Sequence, residues 1–487
     1  MSGEIITVAQ MRAIDEGSAR AGVGARTLME NAGRTVAETV AGRLSARPTA
    51  VLCGPGNNGG DAWIAARILK QMGWPVWVET LASREALKGE AADAARGWAG
   101  DTYEIGADNP MAELFVDGLF GAGLSRALEG EAARLAAVLS NTPARVVAID
   151  VPSGLDGDTG RPLGAACFRA GLTVTFVRKK PAHVLMPGRG FCGQVVVADI
   201  GAPESVINAQ AGALWENSPS LWRLPWPAAE AHKHARGHVM VASGGRTRTG
   251  AARLAARVAL RVGAGLVTVL SPPEAVAENG AHLTAIMLRE VSEPTDYAAA
   301  AREGACVILG PAFGVEEVHR NSLEAVLSAA PRAPVVLDAD AITLLAPIAR
   351  KLDARDVLTP HVGEFERAFP NVLDEGPTRI EAARAAAASA GCTVLLKGPD
   401  TVIAAPDGRA IVNTTGTPFL ATAGSGDVLA GLVGGLAGQG MASFEAAAAA
   451  AWLHGKAGER AGPGLIAEDL SEVLPQILME LASGEAS

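Results

Sequence analysis

The chain is poor in aromatic side chains. Phe, Trp and Tyr make up 4% of its 487 residues, and only two of them are Tyr. A core of the size such a length demands must therefore come from aliphatic side chains and Ala. Cysteine is also scarce. Cys53, Cys167, Cys192, Cys306 and Cys392 are scattered, odd in number and never spaced C-x-x-C. This excludes a disulfide framework and zinc-finger spacing, and it predicts reduced core thiols in a cytoplasmic protein. There is no basic excess: 42 Lys and Arg face 52 Asp and Glu, for a net charge of −10. No nucleic-acid partner is expected on that balance. No N-terminal stretch has a basic region, an apolar core and a small-residue cleavage site. The longest uncharged apolar run, 428–444, is full of Gly. It predicts a Gly-rich helix packed inside the protein, with no membrane partner. No short fixed repeat is present, which excludes a solenoid.

Short apolar runs alternate with Ala-, Leu- and Arg-rich stretches of helical length. Runs 49–53, 76–79, 114–117, 146–150 and 172–176 predict buried strands, with helices over 62–72 and 84–98 and two more within 7–44. Strand, helix and strand in succession imply a parallel sheet covered on both faces. A Pro- and Trp-punctuated stretch, 201–231, then interrupts the pattern. It places a boundary between about 205 and 230, giving domains 1–215 and 216–487. A second alternation follows. Strands are expected at 238–242, 265–270, 306–310, 335–338, 357–358 and 393–397, with helices over 251–262 and 379–390 and a short fraying helix after 474. The fold class is α/β, with two three-layer αβα sandwiches, the first Rossmann-like.

Three motifs in the first half carry chemistry. Cys53-Gly-Pro-Gly-Asn-Asn-Gly-Gly-Asp61 contains a formal G-x-G-x-x-G after a strand, with Glu79 about twenty residues on. That fits a dinucleotide loop. Asn57, Asn58 and Asp61 fit a hydride-transfer enzyme poorly, because a carboxylate at the helix start opposes a pyrophosphate. Asp61 could instead be a helix cap. Asp117-Gly-Leu-Phe-Gly-Ala-Gly-Leu124 and Asp150-Val-Pro-Ser-Gly-Leu-Asp156 each place a carboxylate at a strand end. In an open parallel sheet these ends share one crevice, so Asn57, Asn58, Asp61, Asp117, Asp150 and Ser153 are expected to meet. Their oxygen-rich set suits a hard cation such as potassium and leaves a carboxylate for proton transfer.

The second half carries Gly424-Ser-Gly-Asp427 at the head of an apolar helix. Bare N–H groups there form an anion hole, and Asp427 could accept the proton of an acceptor hydroxyl or merely cap the helix. Asp338-Ala-Asp and Leu358-Thr-Pro-His-Val-Gly-Glu364 end two strands, and Lys397-Gly-Pro-Asp-Thr401 offers a cation and a hydroxyl. Lys397 could be a plain surface residue, and His361 a core histidine or a ligand contact. No G-x-x-x-x-G-K-[ST] occurs in this half, which excludes a P-loop enzyme.

GPGNNGGDAWIAARIL, DGLFGAGL and AIDVPSGLDGDTG together resemble the NAD(P)H-hydrate epimerases over about residues 8–200. The resemblance implies a potassium site at Asn58, Asp117 and Ser153. It implies substrate contacts from Asn57, Asn58, Gly59, Gly60, Asp61, Asp150, and from Gly121, Ala122, Gly123, Leu124, Ser125, Arg126 and Ala127, with Asp150 as the acid–base candidate. Ala62 stands where Gly is usual.

Gly237-His-Val-Met-Val-Ala-Ser-Gly-Gly245, Gly310-Pro-Ala-Phe-Gly314, LDADAITLL, LTPHVGEF and TAGSGDVLAG resemble the ribokinase-like ADP- or ATP-dependent NAD(P)H-hydrate dehydratases over about 220–478. That implies nucleotide contacts from Lys397, Gly398, Pro399, Asp400, Thr401 and Gly426, with ADP or ATP and Mg²⁺ as co-substrates. It implies hydrate contacts from Ala251, Gly314, His361 and Asp427, the last as catalytic base. Ala312, Phe313 and Ser425 depart from the usual Gly, Leu and Thr.

Together the halves imply repair of hydrated NADH and NADPH, by epimerisation and then nucleotide-dependent dehydration, in a homo-oligomer. The competing readings are a small-molecule kinase fused to a non-catalytic Rossmann-like domain, a non-catalytic scaffold and a plain dehydrogenase.

Overall fold

The computed structural model describes residues 3–81, 83–107, 109–375 and 378–484. The chain divides into two compact units, Met1–Leu214 and Trp215–Ser487.

The first unit is built on seven strands: β1 (Thr49–Cys53), β2 (Val76–Thr80), β3 (Thr102–Glu104), β4 (Leu114–Gly118), β5 (Val146–Ile149), β6 (Leu172–Phe176) and β7 (Gln194–Ala198). They lie in the order β3-β2-β1-β4-β5-β6-β7, every pair parallel. The order reverses direction between β1 and β4, the place where an open α/β sheet offers a crevice beyond its carboxyl ends. Side chains alternate across the sheet. Val51 and Cys53 of β1, and Val147 and Ile149 of β5, join the core beneath helices Ala25–Arg43 and Asn57–Gln71. Leu52, Val146 and Ala148 join the opposite core beneath helix Gly130–Leu139. Burial on both faces explains why these strands read as unbroken apolar runs.

In the second unit the strands are β8 (Leu214–Glu216), β9 (His238–Ala242), β10 (Leu266–Ser271), β11 (Met287–Glu290), β12 (Cys306–Leu309), β13 (Val335–Leu337), β14 (Val357–Leu358), β15 (Thr393–Leu396), β16 (Thr401–Ala404) and β17 (Ala410–Asn413). Their order is β11-β10-β9-β12-β13-β14-β15-β16-β17-β8. Pairs from β11 to β15 are parallel, and β15–β16 and β16–β17 are antiparallel. The apolar run 428–444 folds as part of two helices, Ser425–Ala437 and Ser443–Ala461, and both enter the main core. Gly434 lets the first lie against the sheet, since a Cβ there would sit 2.5 Å from Ile308 Cδ1. No helix among the described residues is long and apolar enough to cross a membrane. All five cysteines are buried and unpaired.

Some elements differ from expectation. The stretch 84–98 is a 3-10 turn, Arg84–Ala86, followed by a shorter helix, Gly89–Arg96, because Gly89 adopts φ 57. The last helix, Ala467–Ser483, starts earlier than expected and carries Pro475 inside; residues 485–487 lie outside the described set.

Candidate active sites

In the first unit the strand ends deliver their side chains to one crevice. Asp117 ends in a tight set of bonds: the Ser153 N–H donates to Oδ2 at 2.8 Å and the Ser153 hydroxyl to Oδ1 at 2.6 Å. The Phe120 N–H donates to the Ser153 oxygen at 2.9 Å. Asn58 and Asp150 approach from the other side. A Cβ on Gly121 would lie 3.0 Å from Asp150 Oδ2 and 3.2 Å from Asn58 Oδ1, so this glycine leaves the gap between them open. The Asn58 amide nitrogen is buried without a partner. Asp117 is wholly buried and has no ion pair among the described residues; burial, only partly offset by Ser153, raises its pKa to about 6.

Asp150 sits just after β5 at φ 66, a left-handed conformation that Asp tolerates better than most residues. Its Oδ2 accepts the Ala122 N–H at 2.9 Å. Its Oδ1 accepts from Lys180 Nζ at 2.9 Å and from the Thr175 hydroxyl at 3.1 Å. Lys180 is 1% exposed, and its ammonium also donates to Thr175 Oγ1 and the Phe176 carbonyl, at 2.9 and 3.1 Å. All three of its N–H groups are thus satisfied. Burial alone would raise the Asp150 pKa, but Lys180 and the Ala122 N–H outweigh it and hold the carboxylate below its ordinary value. The His183 Nδ1 accepts the Lys180 N–H at 2.8 Å, so its Nε2 carries the proton and donates to the Asp150 carbonyl at 2.8 Å. Burial, with Lys180 adding to it, lowers the His183 pKa to about 4. The ring is therefore a neutral clamp.

Asp61 is not a cap. The helix begins at Asn57 with Gly56 extended before it, so Asp61 falls in its second turn and is buried. Burial first, then Asp150 and Asp15, raise its pKa well above the ordinary value. Gly59 packs on the Gly54 carbonyl, and Gly54 on that of Leu119, so these fingerprint glycines serve close backbone packing. Gly60 faces Met29, where a Cβ would lie 2.5 Å from the sulfur. The buried Ala62 methyl packs on Gly118 of β4, where the missing side chain leaves room for it. Asn57, Gly123, Ser125 and Arg126 are exposed at the rim. Leu124, partly buried, packs against the core beneath helix Gly130–Leu139, and Ala127 against Gly164. The sequence reading missed Lys180, His183, Thr175 and Asp15. Only the Lys-Lys-Pro at 179–181, just past a strand end, offered a signal.

In the second unit, Asp338 follows β13 and is 2% exposed. The Thr359 hydroxyl donates to its Oδ1 at 2.8 Å, and Lys397 Nζ at 2.7 Å. Lys397 also lies 3.8 Å from Glu364 Oε2. It is not a surface residue. Burial works against its charge, but Asp338 and Glu364 prevail and hold its pKa above the ordinary value. Gly426 borders this ammonium: a Cβ there would lie 3.6 Å from Nζ. Asp427 shares the neighbourhood, and burial, then Asp338, against the pull of Lys397, raise its pKa to about 6. The helix Ser425–Ala437 is capped by Gly424 at φ 84, with no side-chain cap bond, so Asp427 is free of the capping role. Ser425, which stands in for Thr, keeps its hydroxyl 3.0 Å from His454 Nε2.

The Gly314 N–H donates to Asp340 Oδ2 at 2.9 Å, two residues beyond Asp338. His361 is not a core residue; its Nδ1 accepts the N–H groups of Gly363 and Glu364 at 3.0 and 3.3 Å and caps helix Val362–Ala368. Ala251 lies in the first turn of helix Gly250–Arg261, whose Leu254 borders Gly424. Asp400 turns its carboxylate inward to Arg379 Nε at 3.2 Å, and Arg379 also donates to the Lys397 carbonyl at 2.9 Å. The Thr401 hydroxyl closes the same loop on the Gly398 carbonyl at 2.8 Å. Asp400 and Thr401 are thus both engaged within the protein. Arg379, unpredicted, is the loop's anchor. Ala312 adopts φ 51, which explains why Gly is usual there.

A doubly wound sheet with a switch-point crevice, followed by a sheet beside which a glycine-capped helix head brings Asp427 near Lys397, defines a two-site α/β enzyme. Solved structures agree on the second fold: a ribokinase-like superfamily protein from Enterococcus faecalis V583 superposes with a TM-score of 0.51 at 25% identity, covering 55% of this chain and 96% of its own. Residues 239–477 match the family described as NAD(P)H-hydrate dehydratase, and residues 25–182 match the YjeF-related protein N-terminus. The bifunctional NAD(P)H-hydrate repair enzyme of Moorella thermoacetica is 36% identical, over 98% of this chain and 97% of its own. Its counterpart from Escherichia coli K12 is 35% identical, over 89% and 85%. The chain belongs to the bifunctional NAD(P)H-hydrate repair enzymes.

Proposed function

We propose that each crevice carries one step in repairing hydrated NADH or NADPH, with Asp150 and Asp427 as the two catalytic carboxylates. Support for the first comes from the Asp150–Lys180 pair. A carboxylate kept ionised beside a buried ammonium can take the proton of the substrate hydroxyl as the bond from its carbon to the ring nitrogen opens to an aldehyde, and return it when the nitrogen adds back to the other face. His183 holds both partners without adding charge.

Asn58, Asp117 and Ser153 would hold a potassium ion. The buried, unpaired Asp117 carboxylate and the oxygen-rich set around it fit a hard cation, which would supply countercharge there.

In the second crevice, the N–H groups at the head of helix Ser425–Ala437 would receive a phosphoryl group from ADP or ATP, whose phosphates bring Mg²⁺. Asp427 takes the substrate hydroxyl proton as the new P–O bond forms. The C–O bond then breaks, a proton leaves the adjacent carbon, and inorganic phosphate departs as the ring double bond returns. Lys397 and the backbone of 398–401 orient the nucleotide.

The observation that carries this reading is the placement of Asp427, free of capping duty at the glycine-led head of its helix, beside the Lys397–Asp338 pair. The test adds purified S hydrate with ADP or ATP and follows both reduced-cofactor absorbance and phosphate release. One phosphate per recovered cofactor is expected. A stable phosphorylated product without recovered cofactor would instead make the second unit a simple kinase.

A further inference from the structure

A cavity of about 770 Å³ opens beside the second site, between one face of helix Gly250–Arg261 and residues 282–286. Arg253, Arg257 and Arg261 recur every fourth residue, so three guanidinium groups share this face. Two of them are already answered. Glu472 accepts from Arg257 at 2.6 Å and from Arg261 at 3.3 Å. Arg253 has no ion pair among the described residues, and its Nε is buried without a hydrogen-bond partner. Its guanidinium, unpaired by any carboxylate among those residues, lines the cavity, and the planar fork suits phosphate oxygens. The cavity also carries apolar wall from Leu254, Leu260, Leu283 and Ile286, and one carboxylate, Glu468.

Its position ties it to the reaction. A Cβ on Gly424 would meet Leu254 Cδ1 at 2.7 Å and Ala467 Cβ at 2.9 Å, so the cavity wall and the phosphoryl-accepting turn are in contact. Gly250 lines the cavity, and Ala251 follows it in the chain. Arg253 lies three residues beyond Gly250, about 4.5 Å along the helix axis. Resting on the dehydratase reading above, we propose that this cavity receives the adenylate half of the hydrated dinucleotide. Arg253 binds its phosphate and the apolar wall underlies the adenine, while the hydroxylated ring lies at Asp427. An otherwise acidic chain thereby offers local positive charge to a polyanionic substrate.

The test uses the full chain, the pure S epimer and saturating ADP. It compares the hydrate of NADH with that of reduced nicotinamide mononucleotide, which lacks the adenylate. Arg253→Ala should raise KM for the dinucleotide hydrate about tenfold and leave kcat within about twofold, with no change for the mononucleotide. Arg253→Lys should recover part of the loss. Equal shifts for both substrates, no shift, a rise only in the KM for ADP, or a change in oligomeric mass would each overturn the assignment. Failure of the unmodified enzyme to consume either hydrate would instead refute the dehydratase reading beneath it.

Discussion

Lys180 sets the charge state of Asp150, so removing it has a signed effect. In Lys180→Met the carboxylate keeps its burial and loses its countercharge, and its pKa rises. The acid limb of the epimerisation profile should move to higher pH, and the rate at neutral pH should fall on the order of 10²-fold. The lone buried charge should also cost roughly 3–5 kcal/mol of stability. The double variant Asp150→Asn, Lys180→Met should recover much of that loss in a denaturant titration while remaining inactive. Asp427 has the opposite sign. Its folded pKa, about 6, lies above the unfolded value, so its contribution to stability is full below the ordinary carboxylate range and is lost as pH rises to about 6. Asp427→Asn should therefore melt higher than the native chain at pH 8 and lose that advantage by pH 4. The same titration should give native dehydration an acid limb near pH 6.

At the scale of elements, glycines fix how closely backbone layers approach. Gly434→Ala drives a methyl into Ile308 and should cost about 1–3 kcal/mol. Ala312→Gly relieves a left-handed alanine and should stabilise the second unit by about 1 kcal/mol, read as a shift in urea midpoint. The elements also show what could be read beforehand. Strands buried on both faces, such as β1, β5 and β6, stood out as apolar runs. The edge strand β3, Thr-Tyr-Glu, is three residues long and only partly buried, so it left no such trace. The motif carboxylates, Asp117, Asp150 and Asp427, were legible because glycines mark strand-to-helix turns. Lys180, His183, Asp15 and Arg379 were not, since each reaches its site from an element without a motif and gains meaning only through tertiary contact. His361 was seen but its capping role was not, because a ring nitrogen accepting two N–H groups leaves no compositional mark.

For the whole molecule, two sites on two units predict separable defects. Asp150→Asn supplied with mixed epimers should consume the S form at the native rate and then stop. Asp427→Asn should equilibrate the epimers and regenerate no reduced cofactor. Chromatography that resolves the epimers reads both outcomes.

The five sequestered thiols give each unit its own clock. Cys53, Cys167 and Cys192 belong to the first unit, Cys306 and Cys392 to the second, and burial raises the pKa of every one. An alkylating reagent can therefore modify them only when the surrounding scaffold opens. Timed labelling followed by peptide mass spectrometry would show which half of the chain breathes first, and whether potassium slows one set and ADP the other.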